Sequence, residues 1–160
     1  MTLTEYLTTS YRPDREYLDG ELLERNAGEW DHSRLQVLLS CYLSNRENQW
    51  GILVALASRV RVRVTRFRVP DISVLGGPPP AGPIIVEPPF LCIEILSPSD
   101  RMQEMQDRID DYLSFGVRYV VAAAPAHAAG VRLHAGRRSR SERRYASHGR
   151  SGHLRTFGRT

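Results

Sequence analysis

Between Asp31 and Asn48, Leu35, Leu38, Leu39, Tyr42 and Leu43 fall at i, i+3, i+4, i+7 and i+8. That period predicts an amphipathic helix with Asp31 as its cap and Gly51 as its end. Upstream, Leu3, Tyr6 and Leu7 fit a short helix. EYLDGELLE, centred on Asp19-Gly20, predicts a hairpin with a type I′ turn and Glu16 on its first strand. Downstream, ILVALA (52–57) reads as a strand, and RVRVTRFRV (61–69) alternates Arg or Thr with apolar residues, as a strand with one wet, basic face would. Pro70-Asp71 interrupts it, ISVL (72–75) continues it, and GGPPPAGP (76–83) is a loop. FLCIEILS (90–97) is apolar on both sides, the pattern of a central strand covered on both faces, yet it contains Glu94. Ser99 or Asp100 then caps a helix whose Met102, Met105, Ile109 and Tyr112 share a face, Gly116 ends it, and VRYVV (117–121) is the next strand. Strand, helix and strand in that order predict parallel strands with a right-handed crossover, hence an α/β domain with a mixed sheet.

The chain has 160 residues, enough for one core of ordinary size. No apolar run approaches the ~20 residues of a membrane helix, and the start lacks the apolar centre of a secretion signal, so the expectation is a cytoplasmic protein with no membrane partner. Cys41 and Cys92 stand apart without CxxC spacing and read as buried thiols. The net charge of +4 hides an asymmetry: residues 1–121 carry 13 Arg against 17 Asp and Glu, whereas residues 122–160 carry 9 Arg against one Glu. In 126–160 the large apolar side chains are Val131, Leu133, Tyr145, Leu154 and Phe157, too few to offset the entropy of ordering the segment. The expected division is a folded domain over 1–125 and a disordered basic tail over 126–160 without strands. A sheet edge left open after Val121 would favour association, a homodimer among the assemblies.

Two carboxylates carry the candidate chemistry. Asp71 follows Pro70 and Glu94 lies in the next strand, so both could point into one cleft if those strands are neighbours. Such a pair suits Mg²⁺, which binds through one or two carboxylates plus waters and promotes phosphodiester hydrolysis. A structural alternative makes Asp71 a turn residue and Glu94 the partner of a nearby arginine. An ionised group in a strand as apolar as FLCIEIL costs several kcal/mol unless a cation or partner compensates, which favours a functional Glu94.

The order REYLDGEL (15–22), WDHSRL (30–35), RFRVPDISV (66–74), PPFLCIEILSPSDR (88–101) and RIDDYLSFGVRYV (108–120) resembles the Uma2 family of putative restriction endonucleases, within the PD-(D/E)xK nuclease superfamily. Over residues 3–121 the resemblance implies a restriction-endonuclease-like fold in which Asp71 and Glu94 bind Mg²⁺ with the backbone carbonyl of Ile95 as a third ligand. Glu16 would be an upstream acidic group, and His32 would border the cleft. Each has a structural alternative, an exposed strand charge for Glu16 and a capping or packing role for His32.

Two departures limit what the resemblance carries over. The superfamily's Lys, two residues after the acidic one, is replaced by Leu96, and the chain contains no Lys. Arg108, in the following helix, occupies the place where this family can supply a basic group. An arginine stays protonated, so it can stabilise a phosphorane but cannot act as general base. Its structural alternative is a surface ion pair with Glu104. Secondly, the family's usual continuation after GVRYV is missing and the C-terminal part reads as degraded. Codons available for Arg132–Gly149, read one base later, spell VYTPEGAREVKDGMLRT, which resembles that continuation and predicts a change of reading frame near Val121. The leading expectation is a Mg²⁺-dependent DNA endonuclease using Asp71, Glu94 and Arg108, weakened or inactive in the limit. A noncatalytic DNA-binding relic of the same fold and a small-molecule phosphohydrolase are the alternatives.

Overall fold

A computed structural model describes residues 1–25, 29–98 and 100–125, and the backbone of 131–135. In chain order the elements are α1 (Leu3–Thr8), β1 (Arg15–Leu18), β2 (Glu21–Glu24), α2 (Trp30–Ser44), α3 (Glu47–Trp50), β3 (Ile52–Leu56), β4 (Val60–Arg63), β5 (Arg66–Arg68), β6 (Ile72–Gly76), β7 (Leu91–Ile95), α4 (Met102–Phe115), β8 (Tyr119–Ala123) and β9 (Val131–Ala135). They build two sheets, of order β2-β1-β5-β4 and β3-β6-β7-β8-β9.

The five-stranded sheet is mixed, as expected: β7 and β8 are parallel and the other pairs antiparallel. Alternation along β7 divides its side chains between two layers. Ile93 and Ile95, with Ile72, Val74 and Ala123, form a core against which Leu35, Leu39 and Leu43 of α2 pack. Cys92, with Val120, meets Met105, Ile109 and Tyr112 of α4 on the other face. Burial of each large apolar side chain contributes roughly 1.5–3 kcal/mol, which is what lets this sheet hold charged groups.

The smaller sheet corrects the reading of 61–69 as one strand. The chain reverses at Val64-Thr65, so β4 and β5 are an antiparallel hairpin, and β5 pairs with β1 instead of running on into β6. The predicted hairpin of β1 and β2 is present, with positive φ at both Asp19 and Gly20 as a type I′ turn requires. Tyr17 and Phe67 pack on Tyr6 of α1, which leaves Glu16 and Arg68 on the opposite face of their strands, both buried.

Several boundaries shift. The helix expected from Asp31 to Asn48 begins at Trp30 with Glu29 as its cap, places Asp31 in its first turn, and breaks after Ser44 before α3. Its packing stripe is Leu35, Leu39 and Leu43, whereas Leu38 and Tyr42 are exposed. Arg101, not Ser99 or Asp100, occupies the cap position of α4. Asp100 instead accepts a hydrogen bond from the Ser97 amide (2.7 Å), Ser99 lies outside the described residues, and Met102 points to solvent. Cys92 is buried as expected, but Cys41 is exposed on α2. The expectation of no strand in the tail is corrected at β9, which pairs along β8 from Tyr119 to Ala123 and covers the edge predicted to be open. Residues 126–130 and 136–160 lie outside the described residues, so the rest of the tail reading does too. No helix among the described residues is long and apolar enough to cross a membrane.

Candidate active site

Asp71 lies between the sheets, immediately before β6, rather than at the end of the 61–69 strand. Ile72 is in register with Ile93, so one step further along the ladder sets Asp71 against Glu94. Glu94 shares the face of β7 that meets α4, and Glu16 reaches the same place from β1. Three carboxylates, two from strands and one from the residue before β6, therefore converge.

The group they converge on is Arg25, the first residue after β2. Its Nη2 donates to Asp71 Oδ1 (2.6 Å) and its Nη1 to Glu94 Oε2 (3.0 Å), while Glu16 Oε1 stands 3.6 Å from Nη1. The free oxygens are also engaged. Asp71 Oδ2 accepts from the Ile95 amide (2.7 Å) and lies 3.4 Å from His32 Nε2, and Glu94 Oε1 accepts from the Tyr112 hydroxyl (2.6 Å). Glu16 accepts from the Val69 amide (3.1 Å) and from Arg68 Nη1 (2.7 Å). Arg68 in turn grips Asp111 Oδ2 of α4 through Nε (2.9 Å) and Nη2 (2.7 Å). Arg108 approaches Glu16 Oε2 at 3.5 Å, and its buried Nε has no hydrogen-bond partner among the described residues.

These surroundings separate the two carboxylates electrically. Burial pushes the Glu94 carboxyl above its ordinary range, against the opposing pull of Arg25. Burial acts on Asp71 in the same sense, but the His32 hydrogen bond, the Arg25 charge and the Ile95 amide outweigh it and hold that carboxyl low. His32 is raised by its hydrogen bond to Asp71, and Tyr112 is raised by burial, which keeps its proton available to Glu94.

The structure thus brings Glu16, His32, Asp71, Glu94 and Arg108 into one cluster. Ile95 joins it through its amide nitrogen, which binds Asp71. The structural alternative for Arg108 is overturned, because its side chain is buried and Glu104 faces Arg101 at 3.8 Å instead. Glu16 is buried rather than an exposed strand charge. His32 also borders a cavity of about 310 Å³ whose walls include Leu96, Met102 and Met105.

Four contributors escaped the sequence reading. The helical period places Tyr112 on the apolar face of α4, where its ring does pack, but its hydroxyl holds Glu94. Arg68 was placed on a wet face that is in fact buried against Asp111. Asp111 carried no signal by spacing. Arg25 was recoverable: the hairpin register pairs Glu16 with Leu23, and Arg25, two residues on, shares that face.

Asp71 and Glu94 already share one cation, and Mg²⁺ needs only one or two carboxylates with waters, so their donor set fits that ion. Among the described residues, no group of three or more His, Cys, Asp or Glu side chains is arranged to hold a metal by itself.

The likeness to known proteins extends over most of the chain. In structure it is similar to a putative nuclease belonging to DUF820 from Anabaena variabilis, with a TM-score of 0.69, 22% identity and 83% of each chain covered. At that identity the likeness shows the fold. No curated protein matches. The family model described as Uma2, putative restriction endonuclease, matches residues 4–156, well past the 3–121 over which the sequence blocks were recognised. The chain therefore belongs to the Uma2 family of putative restriction endonucleases.

Proposed function

We propose that this protein is a Mg²⁺-dependent DNA endonuclease that hydrolyses phosphodiester bonds. The observation that carries the reading is the convergence of Asp71 and Glu94 on a single cationic position, beside a buried arginine with an unsatisfied donor. Membership of a family described as putative restriction endonucleases supports DNA as the substrate of this reading.

Asp71 and Glu94 would hold the metal, with the carbonyl of Ile95 as a further ligand. When bound, Mg²⁺ supplies a lowered pKa for a coordinated water and charge neutralisation at phosphate oxygens. The chain's own groups do the rest. The Ile95 amide and Tyr112 hydroxyl orient the two carboxylates, and a buried, fixed arrangement costs no reorganisation during reaction. Arg108 offers a permanently charged guanidinium to a phosphate oxygen. Proton removal must fall to another group, since an arginine cannot accept one. His32, beside Asp71, is positioned for that exchange only in its neutral form, and its hydrogen bond to Asp71 raises its pKa.

Nicking of supercoiled plasmid DNA with Mg²⁺, and its loss on chelation, tests the reading. Asp71→Asn and Glu94→Gln are each expected to abolish cleavage while the fold survives, because each removes a ligand charge but keeps a polar group of the same shape beside Arg25. Retained cleavage in both variants would reject the site. Turnover of phosphate monoesters without nicking would assign the metal pair to small-molecule hydrolysis, and DNA binding without either activity would make the protein a noncatalytic relic.

A further inference from the structure

A cation already sits where the metal would. The Arg25 guanidinium spans Asp71 Oδ1 at 2.6 Å and Glu94 Oε2 at 3.0 Å, with Glu16 Oε1 at 3.6 Å. One oxygen of each proposed ligand is therefore spent on the same side chain. The remaining Asp71 oxygen is committed to the Ile95 amide and the remaining Glu94 oxygen to Tyr112. A divalent ion cannot take both carboxylates while the arginine remains, because it would displace the two hydrogen bonds and face a positive charge within contact distance.

Arg25 is also placed so that it can leave. It follows the last residue of β2, its side chain keeps 12% exposure, and its amide donates to the Asp14 carbonyl from outside the strand ladder. Arg68, by contrast, is 3% exposed and spends Nε, Nη1 and Nη2 on Asp111 and Glu16. Rotation of the Arg25 side chain alone would empty the space between the carboxylates, with no strand moved.

We propose that Arg25 is a resident counter-ion that competes with the divalent metal for Asp71 and Glu94, so that its departure gates metal loading. The inference rests on the metal-site reading above. Without Arg25 three buried carboxylates would repel one another, so the arginine keeps the empty site folded. Its presence lowers metal affinity by the fraction of time it is away: a guanidinium displaced one-tenth of the time weakens binding about tenfold.

The test is titration of the full chain with Mn²⁺, following free Mn²⁺ by electron paramagnetic resonance. Arg25→Gln is expected to bind Mn²⁺ at least ~10-fold more tightly than the natural chain. Arg25→Lys, which keeps a charge but cannot fork across two carboxylates, should lie between them. Mn²⁺ should also raise the melting temperature of Arg25→Gln more than that of the natural chain. A merely structural arginine predicts the opposite, looser binding in a damaged site. Equal or weaker binding by Arg25→Gln overturns the gate while leaving the metal site standing. Should Arg25→Gln fail to fold, Arg25→Lys decides, and affinity no tighter than the natural chain's overturns the gate. If no variant binds Mn²⁺ in a manner lost with Asp71→Ala, the metal-site reading fails and the gate with it.

Discussion

Two of the arginines that face the buried acids of this protein, Arg68 and Arg25, do so in different ways. On the four-stranded sheet Arg68 is enclosed, grips Asp111 with two nitrogens and Glu16 with a third, and joins β5, β1 and α4. On the five-stranded side Arg25 hangs from the end of β2 and divides its two Nη groups between Asp71 and Glu94. The first engages all three of its guanidinium nitrogens; the second is a cation resting between two acids that come from different places in the chain. The lesson is that a buried ion pair can be a fixed joint or an exchangeable occupant. What separates them here is donor count and enclosure, not distance.

Mutation can break this comparison at either side. The largest effect on stability is expected from Arg68→Ala, which strands Asp111 and Glu16 without their main partner; removing one member of a buried pair costs about 3–5 kcal/mol. Denaturant unfolding would measure it, and a loss no greater than that of Arg25→Gln with Mn²⁺ present would erase the distinction.

Arg108→Ala should cost less stability than Arg68→Ala, since Arg108 approaches Glu16 only at 3.5 Å whereas Arg68 hydrogen-bonds both Glu16 and Asp111, but should slow plasmid nicking by ~10²–10³-fold, as loss of one preorganised electrostatic contact does. An unchanged nicking rate would return Arg108 to a packing role. A smaller change is expected from Tyr112→Phe. It deletes one hydrogen bond to the Glu94 carboxylate and no ring packing, about 1.5–3 kcal/mol. If Tyr112 orients Glu94, that variant should also weaken Mn²⁺ binding, and unaltered binding would count against orientation.

The smallest effect concerns the contact between the two hairpin turns of the smaller sheet. Asp19 accepts hydrogen bonds from Thr65 and Arg66, which hold its carboxyl below the ordinary value of 3.8. A depressed folded pKa means the contribution is present above the unfolded value and is lost as pH falls through the folded one. Acid titration of the melting temperature should therefore show a slightly shallower decline for Asp19→Asn than for the natural chain. Identical slopes would show the contact to be without consequence.

Much of the frame was written locally. The Asp-Gly turn, the apolar run of β7 interrupted by Glu94, the glycine that ends α4 and the parallel pairing of β7 with β8 each follow from a few adjacent residues, because turn chemistry and side-chain period act over short distances. The five blocks containing Glu16, His32, Asp71, Glu94 and Arg108 were legible for the same reason, and the fold proved to be the one they implied. Tertiary structure decided the remainder. That 61–69 folds back as two strands depends on a partner, β1, more than forty residues upstream. That Arg68 and Asp111 are buried together depends on α4 crossing the smaller sheet. Above all, Glu94 could be seen to need a cation, but which cation could not: burial sets the requirement, and only the tertiary fold brings Arg25, just past β2, against Asp71 and Glu94, since charge compensation depends on distance in space and not along the chain.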